Sequence, residues 1–168
     1  IAEIGPFFEM AYGDLFGDSS CQTVVQHPRL EADDCIAITA GHILSRYPDA
    51  EVFIITSDAD YLQLANDRTR IFDLKFKDLR ETKAYQTDAQ TSLFCKIAMG
   101  DKSDNIMPIF KGCGLKTALK LRADEDLLQH KLSDPEVKER FELNTTLVDF
   151  TKIPQELAQQ FRNDTLKL

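Results

Sequence analysis

The spacing of apolar residues changes along the chain, and the change divides it. Glu51-Val-Phe-Ile-Ile-Thr-Ser57 is an unbroken apolar run with polar ends. Such a run predicts a strand buried on both faces of a parallel sheet. Arg70-Ile-Phe-Asp-Leu74 predicts a second strand. Before them, Ile36, Ile38, Ile43 and Leu44 recur among small residues, which predicts a helix from Glu31 to Tyr47 ended by Pro48-Asp49. Asp60 to Asn66 predicts a short helix between the strands. Further upstream, Ile4, Phe7, Phe8, Tyr12, Leu15 and Phe16 predict a helix beginning near Pro6, and Cys21 to Gln26 is a short β-like run. Beyond residue 85 the strand pattern disappears. Helices are predicted over Gln86–Met99, Leu115–Arg122, from Asp134-Pro135 to about Asp149, and from Pro154 onward, with a Gly- and Pro-punctuated loop over 100–114. Strands alternating with helices, then helices alone, predict an α/β unit with a parallel sheet flanked by helices over residues 1–85 and a helical region over 86–168.

Composition narrows the class. The 168 residues suit one domain or a domain with a small appendage, and 43% are hydrophobic, enough for a core. No apolar run reaches the roughly 18 residues of a membrane span, and no signal-peptide pattern is visible. Cys21, Cys35, Cys95 and Cys113 show no CxxC spacing and read as free thiols of a reducing compartment.

The net charge of −8 runs against nucleic-acid binding, but its distribution alters that inference. Acids gather at Glu31, Asp33 and Asp34, at Asp58 and Asp60, and at Asp101 and Asp104. Bases gather at Arg68, Arg70, Lys75, Lys77, Arg80 and Lys83, then at Lys111, Lys116, Lys120 and Arg122. Acids beside a basic strip fit a metal site acting on a polyanion; ordinary surface charge gives the same counts.

Three acidic stretches and one hairpin carry the candidate chemistry. Asp58 and Asp60 follow the strongest strand, where ligands of open α/β sheets collect. Two carboxylates there suit a hard divalent cation, or a simple cap on the following turn. Glu31-Ala-Asp-Asp34 opens a helix, so its acids complement the helix dipole, and they could also present several oxygens to one site. Gly100-Asp-Lys-Ser-Asp-Asn105 adds two acids at i, i+3 and leads into Phe110-Lys-Gly-Cys-Gly-Leu-Lys-Thr-Ala118. There a Gly-x-Gly turn feeds a helix N-terminus, where Lys116 and Thr117 could touch a phosphate, or where the turn merely links two helices. His27, His42 and His130 are scattered, with no Ser or Cys partner by spacing.

At these blocks the chain resembles the 5′-nuclease superfamily: flap endonucleases, the 5′-exonuclease domains of bacterial DNA polymerases, and phage-type ribonuclease H. The residues that carry the resemblance are Glu31-Ala-Asp-Asp34, Thr56-Ser-Asp-Ala-Asp-Tyr-Leu-Gln-Leu64, Gly100-Asp-Lys-Ser-Asp-Asn105 and Gly112-Cys-Gly-Leu-Lys-Thr-Ala118. Asn144 to Pro154 is most similar to the phage-type branch.

The resemblance implies a PIN-like fold with a helix–three-turn–helix motif. It implies a metal-dependent 5′-3′ exonuclease or flap endonuclease of replication or repair, acting by a two-metal mechanism. Glu31, Asp33 and Asp34 would serve mainly one Mg²⁺ or Mn²⁺ ion, and Asp58, Asp60, Asp101 and Asp104 mainly the other, with Asp33, Asp58 and Asp60 central to catalysis. Lys111, Gly112, Gly114, Lys116 and Thr117 would bind DNA, with K⁺ at the hairpin. Expected partners are duplex DNA with a 5′ end or flap, RNA·DNA, and replication proteins, in the cytoplasm of a bacterium or of a phage-infected cell. Relatives begin with a strand and a helical arch that have no counterpart here, so the chain is expected to be a fragment, with residues 1–85 the C-terminal part of the α/β core. The alternative within the family is a duplex-DNA-binding module without turnover. A PIN-like ribonuclease would lack the hairpin, and an interaction scaffold would not need the acids.

Overall fold

A computed structural model of the chain describes residues 10, 18–20 and 23–166. The helix expected from Pro6 lies, apart from Met10, outside these residues, as do Cys21 and Gln22. Thr23 to Gln26, the rest of the expected β-like run, forms no regular strand.

Helix α1 spans Ala32–Arg46 and buries Cys35, Ala37, Ile38 and Ala40. Its first turn carries Asp33 and Asp34, as the helix dipole favours. At the other end, Arg68 donates to the carbonyls of Leu44 at 3.2 Å, Tyr47 at 3.3 Å and Pro48 at 2.8 Å. Those carbonyls have no intrahelical donor, so the guanidinium closes the helix. Arg68 is therefore a structural cap rather than part of a free basic strip. Arg80 is likewise engaged, by Asp78 at 2.7 Å.

Strand β1 (Val52–Ile55) pairs in parallel with β2 (Thr69–Phe72), in the register Val52↔Thr69 to Ile55↔Phe72. The crossover contains a 3₁₀ helix over Ala59–Leu64, where a short helix was expected over Asp60–Asn66. Ile54 and Ile71 point into a core with Tyr61, Leu62 and Leu79. The opposite face corrects the expected two-sided burial, since Phe53 is 54% and Ile55 47% exposed. The packing elements gather on the Ile54–Ile71 side. Among the described residues no element covers the outer face, where the Phe53 and Phe72 rings stack 6.2 Å apart.

Five helices follow: α2 (Ala89–Met99), α3 (Leu115–Ala123), α4 (Glu125–Leu132), α5 (Pro135–Val148) and α6 (Gln155–Asp164). Helix α2 starts three residues later than expected because Asp88 caps it, accepting from Thr91 N at 2.7 Å. Helix α4 was not anticipated; Asp124 ends α3 and caps α4 in a single residue, leaving no loop to read. Helices α2 to α5 share a core of Ala98, Ile109, Cys113, Ala118 and Leu121. Helix α6 returns to α1, burying Phe161 against Cys35 and Ile38. Cys35, Cys95 and Cys113 are free, buried thiols. No helix among the described residues is long and apolar enough to cross a membrane.

Two side-chain amides tie distant stretches together, Gln63 across the two halves and Asn144 within the second. Gln63, in the 3₁₀ helix, donates to Val148 O at 3.0 Å and accepts from Phe150 N at 3.0 Å. Asn144, 1% exposed on α5, donates to Ile97 O at 2.8 Å and to Met107 O at 2.8 Å. The C-terminal carbonyls of α2 are thus satisfied from three directions: Gly100 N reaches Lys96 O, Asn144 reaches Ile97 O, and Ile109 N reaches Ala98 O. Replacing Asn144 with leucine keeps the branched heavy-atom shape and strands both carbonyls. Urea unfolding is expected to show a loss of about 2–4 kcal/mol; a loss below ~0.5 kcal/mol would mean that water takes over both bonds.

Candidate metal centre and nucleic-acid interface

The acids sit where backbone geometry places them. Asp58 follows β1 and caps the 3₁₀ helix, its Oδ1 accepting from Asp60 N at 2.9 Å. The simple capping role considered from the sequence is therefore real, and it leaves Asp58 exposed at the strand end. At the start of α1, Asp34 Oδ2 accepts from Glu31 N at 3.2 Å, and Asp33 Oδ1 from Asp34 N at 3.0 Å. Burial, followed by the Asp33 charge, raises the Asp34 carboxyl, while the Glu31 N–H opposes the rise.

Tyr61 joins these two stretches. Its phenol is pushed up to about 12, first by burial and then by the charges of Asp33, Asp58 and Asp34. Acids of α1 and the acid after β1 thus act electrostatically on the same buried phenol.

The third stretch meets the second through a lysine. Lys96 of α2 contacts Asp60 Oδ1 and lies 2.9 Å from Asp101 Oδ2. Asp101 also accepts from Ser103 N at 2.7 Å and from the Ser103 hydroxyl. The Ser103 hydroxyl and then the Lys96 ammonium hold the Asp101 carboxyl far below the usual carboxylate range. Asp101 is fixed by paired bonds with Ile106, and Asp104 is exposed on the same turn.

Of the seven acids, Asp60 and Asp101 come together about Lys96, Asp33 and Asp34 sit side by side at the start of α1, and Asp58 caps the 3₁₀ helix. Among the described residues, no three of His, Cys, Asp or Glu stand close enough together to hold a metal ion. Mg²⁺ is often held by one or two carboxylates, with water and phosphate oxygens completing its shell. A carboxylate pair already gathered about one positive charge therefore fits that ion, and the all-oxygen donors suit Mn²⁺ equally.

The hairpin reads as expected in part. Gly112 has φ +86°, a backbone that favours glycine. Gly114 is extended with open space at its Cβ position, so neither conformation nor crowding demands glycine there. Gly114 is the N-cap of α3, whose first-turn N–H groups face outward with Lys116 exposed, Thr117 half-buried and Lys111 exposed just before. Those donors and cations can hold a phosphate.

Three functional side chains escaped the sequence: Lys96, Gln63 and Asn144. Lys96 left one trace, as the sole cation of an apolar helix that runs straight into Gly100-Asp101.

Comparison with known proteins accords with this layout. Residues 17–94 match the family described as 5′-3′ exonuclease, N-terminal resolvase-like domain. The chain is 32% identical over 113 residues to a 5′-3′ exonuclease of Bacillus subtilis (strain 168), covering 62% of this chain and 36% of that one. It is 36% identical over 106 residues to DNA polymerase I of Treponema pallidum (strain Nichols), covering 59% and 10%. The match thus spans about a third of one relative and a tenth of the other. The T5 D15 protein crystallised with metal ions superposes with a TM-score of 0.73 at 20% identity, over 99% of this chain and 71% of that one, a likeness of fold. Over residues 17–94 the chain is thus similar to that family, and its mixed α/β architecture, with a small parallel sheet and a helical second half, shares the fold of the T5 protein.

Proposed function

We propose that the chain is part of a structure-specific 5′-nuclease, a 5′-3′ exonuclease or flap endonuclease that hydrolyses phosphodiester bonds of DNA or RNA·DNA near a 5′ end. It would act in replication or repair, alongside replication proteins, in the cytoplasm of a bacterium or phage-infected cell. The observation that carries this function is the convergence of Asp60 and Asp101, from separate elements, on one positive charge beside the end of β1. On this reading, residues 1–85 belong to the catalytic α/β core and 86–168 to the duplex-holding helical region. Asp60, Asp101 and Asp104 would hold one divalent cation, with Glu31, Asp33, Asp34 and Asp58 around a second. When bound, such ions supply an activated water and stabilise the leaving oxygen.

The chain's own residues do the rest. Asp58 fixes the start of the 3₁₀ helix and so the direction of Asp60. Ser103 fixes Asp101. Lys111, Gly112, Gly114, Lys116 and Thr117 would grip duplex phosphates, with K⁺ at the hairpin carbonyls. Phosphate contacts carry no sequence information, so the substrate would be chosen by its shape.

The test is incubation with 5′-flap DNA and with RNA·DNA duplex, in Mg²⁺ or Mn²⁺ and in chelator. Cation-dependent cleavage near the 5′ end is expected. Lys116→Ala is expected to weaken duplex binding and to lower the salt slope by about 1. An unchanged slope would remove the hairpin from the phosphate grip. A second reading, a duplex-binding module without turnover, is favoured by the absence of a three-acid cluster among the described residues. Duplex binding without cleavage at saturating Mn²⁺ would establish it instead.

A further inference from the structure

Lys96 lies between the buried Cys95 and Ile97 on α2, yet its ammonium reaches the gap between Asp60 and Asp101. The three side chains are 20%, 17% and 25% exposed, so solvent screens them little. Asp60 Oδ1 is closed off from solvent and, apart from that ammonium, meets no hydrogen-bond donor. Asp101 Oδ1 is taken by Ser103, which leaves Oδ2 for Lys96. One free oxygen from each of two acids is thus aimed at a positive charge that the chain itself provides. Two carboxylates carry two negative charges and the ammonium cancels one; a divalent cation cancels both. A cavity of about 220 Å³, lined by Asp60, Lys96, Asp101, Gln86 and Ser92, opens beside the pair. It offers a flexible lysine somewhere to move.

We propose that Lys96 is an internal counter-ion occupying the Asp60–Asp101 cation position, and that Mg²⁺ or Mn²⁺ displaces its ammonium in order to bind there. This rests on the metal-site reading above. Lys96 keeps the two carboxylates gathered without metal, and it weakens the apparent affinity of the site by competing for the same oxygens.

The test is Mn²⁺ binding, followed by the paramagnetic signal of free Mn²⁺ and by calorimetry. Lys96→Met keeps the length and removes the charge. It is expected to tighten Mn²⁺ at one site by about tenfold or more, and the gain is expected to disappear when Asp101→Asn is added. Wild-type binding that is lost in Asp101→Asn but unchanged or weakened in Lys96→Met overturns the competition while leaving the metal site standing. No Mn²⁺ binding by either wild type or Lys96→Met overturns both. Should Lys96→Met fold poorly, the wild type decides. Acylation of Lys96, measured by mass spectrometry against the exposed Lys75, is expected to speed up several-fold in saturating Mn²⁺ as the ammonium is freed. An unchanged ratio overturns the displacement.

Discussion

Gly100→Ala is expected to destabilise the chain by roughly 3 kcal/mol or more, since both forced backbone shifts and positive φ oppose a side chain there. Gly100 has φ +69°, and a Cβ at this position would stand 2.3 Å from Ile106 O and 2.6 Å from Met107 C. These are backbone atoms, so no rotamer change relieves the clash. Ile106 cannot retreat cheaply, because its carbonyl accepts from Asp101 N at 2.9 Å and its N–H donates to Asp101 O at 2.7 Å. Any shift that makes room therefore moves Asp101 away from Lys96. Urea unfolding should show the lower midpoint, and Mn²⁺ binding should weaken in whatever population remains folded. A variant with wild-type stability would show that the turn is far softer than its hydrogen bonds imply.

Asp58→Asn is expected to lower cation-dependent cleavage by roughly a thousandfold while leaving stability within ~0.5 kcal/mol. The asymmetry arises because Asp58 has two separable roles. Its Oδ1 caps the 3₁₀ helix by accepting from Asp60 N, and asparagine caps about as well as aspartate. On the proposed reading its charge serves a metal ion, and a catalytic ion supplies several kcal/mol at about 1.4 kcal/mol per decade of rate. Asp58→Ala should lose both roles, with a further stability loss of about 1 kcal/mol. The Tyr61 phenol gives a readout independent of turnover. Burial and the Asp33, Asp58 and Asp34 charges push it up to about 12, so removing the Asp58 charge should lower its spectroscopic titration midpoint. Cleavage retained at saturating Mg²⁺ would take Asp58 out of the metal site.

Local patterns were legible where the backbone alone decides. The extents of α1, β1 and β2 and the start of α6 follow from apolar spacing, prolines and caps, and the structure places each within a few residues. Burial was less legible. The apolar run of β1 predicts a two-sided strand, whereas Phe53 and Ile55 are exposed on a face that no described element covers. Periodicity reports what a strand could bury, not what lies against it. Charge was legible as clusters but not as use. Arg68 closes a helix twenty or more positions away in sequence and Arg80 pairs with Asp78, so a strip read from composition is partly consumed by structure. The acids were singled out by spacing, yet the meeting of Asp60 and Asp101 about Lys96 depends on how α2 packs onto the 3₁₀ helix, and no local signal encodes that. Gln63 and Asn144 were invisible for the same reason, because each bonds to backbone 37 to 87 positions distant.

The Asn144 clasp imposes an order of events on a growing chain. Asp60 and Asp101 have both left the ribosome long before residue 144, but the end of α2 and the turn after it share that one side chain, 37 and 47 positions downstream. Until α5 docks, two carbonyls at the end of α2 and in the turn after it lack the donor that Asn144 supplies. A chain ending before residue 144 would hold every proposed ligand in its sequence while lacking the side chain that satisfies Ile97 O and Met107 O beside the carboxylate pair.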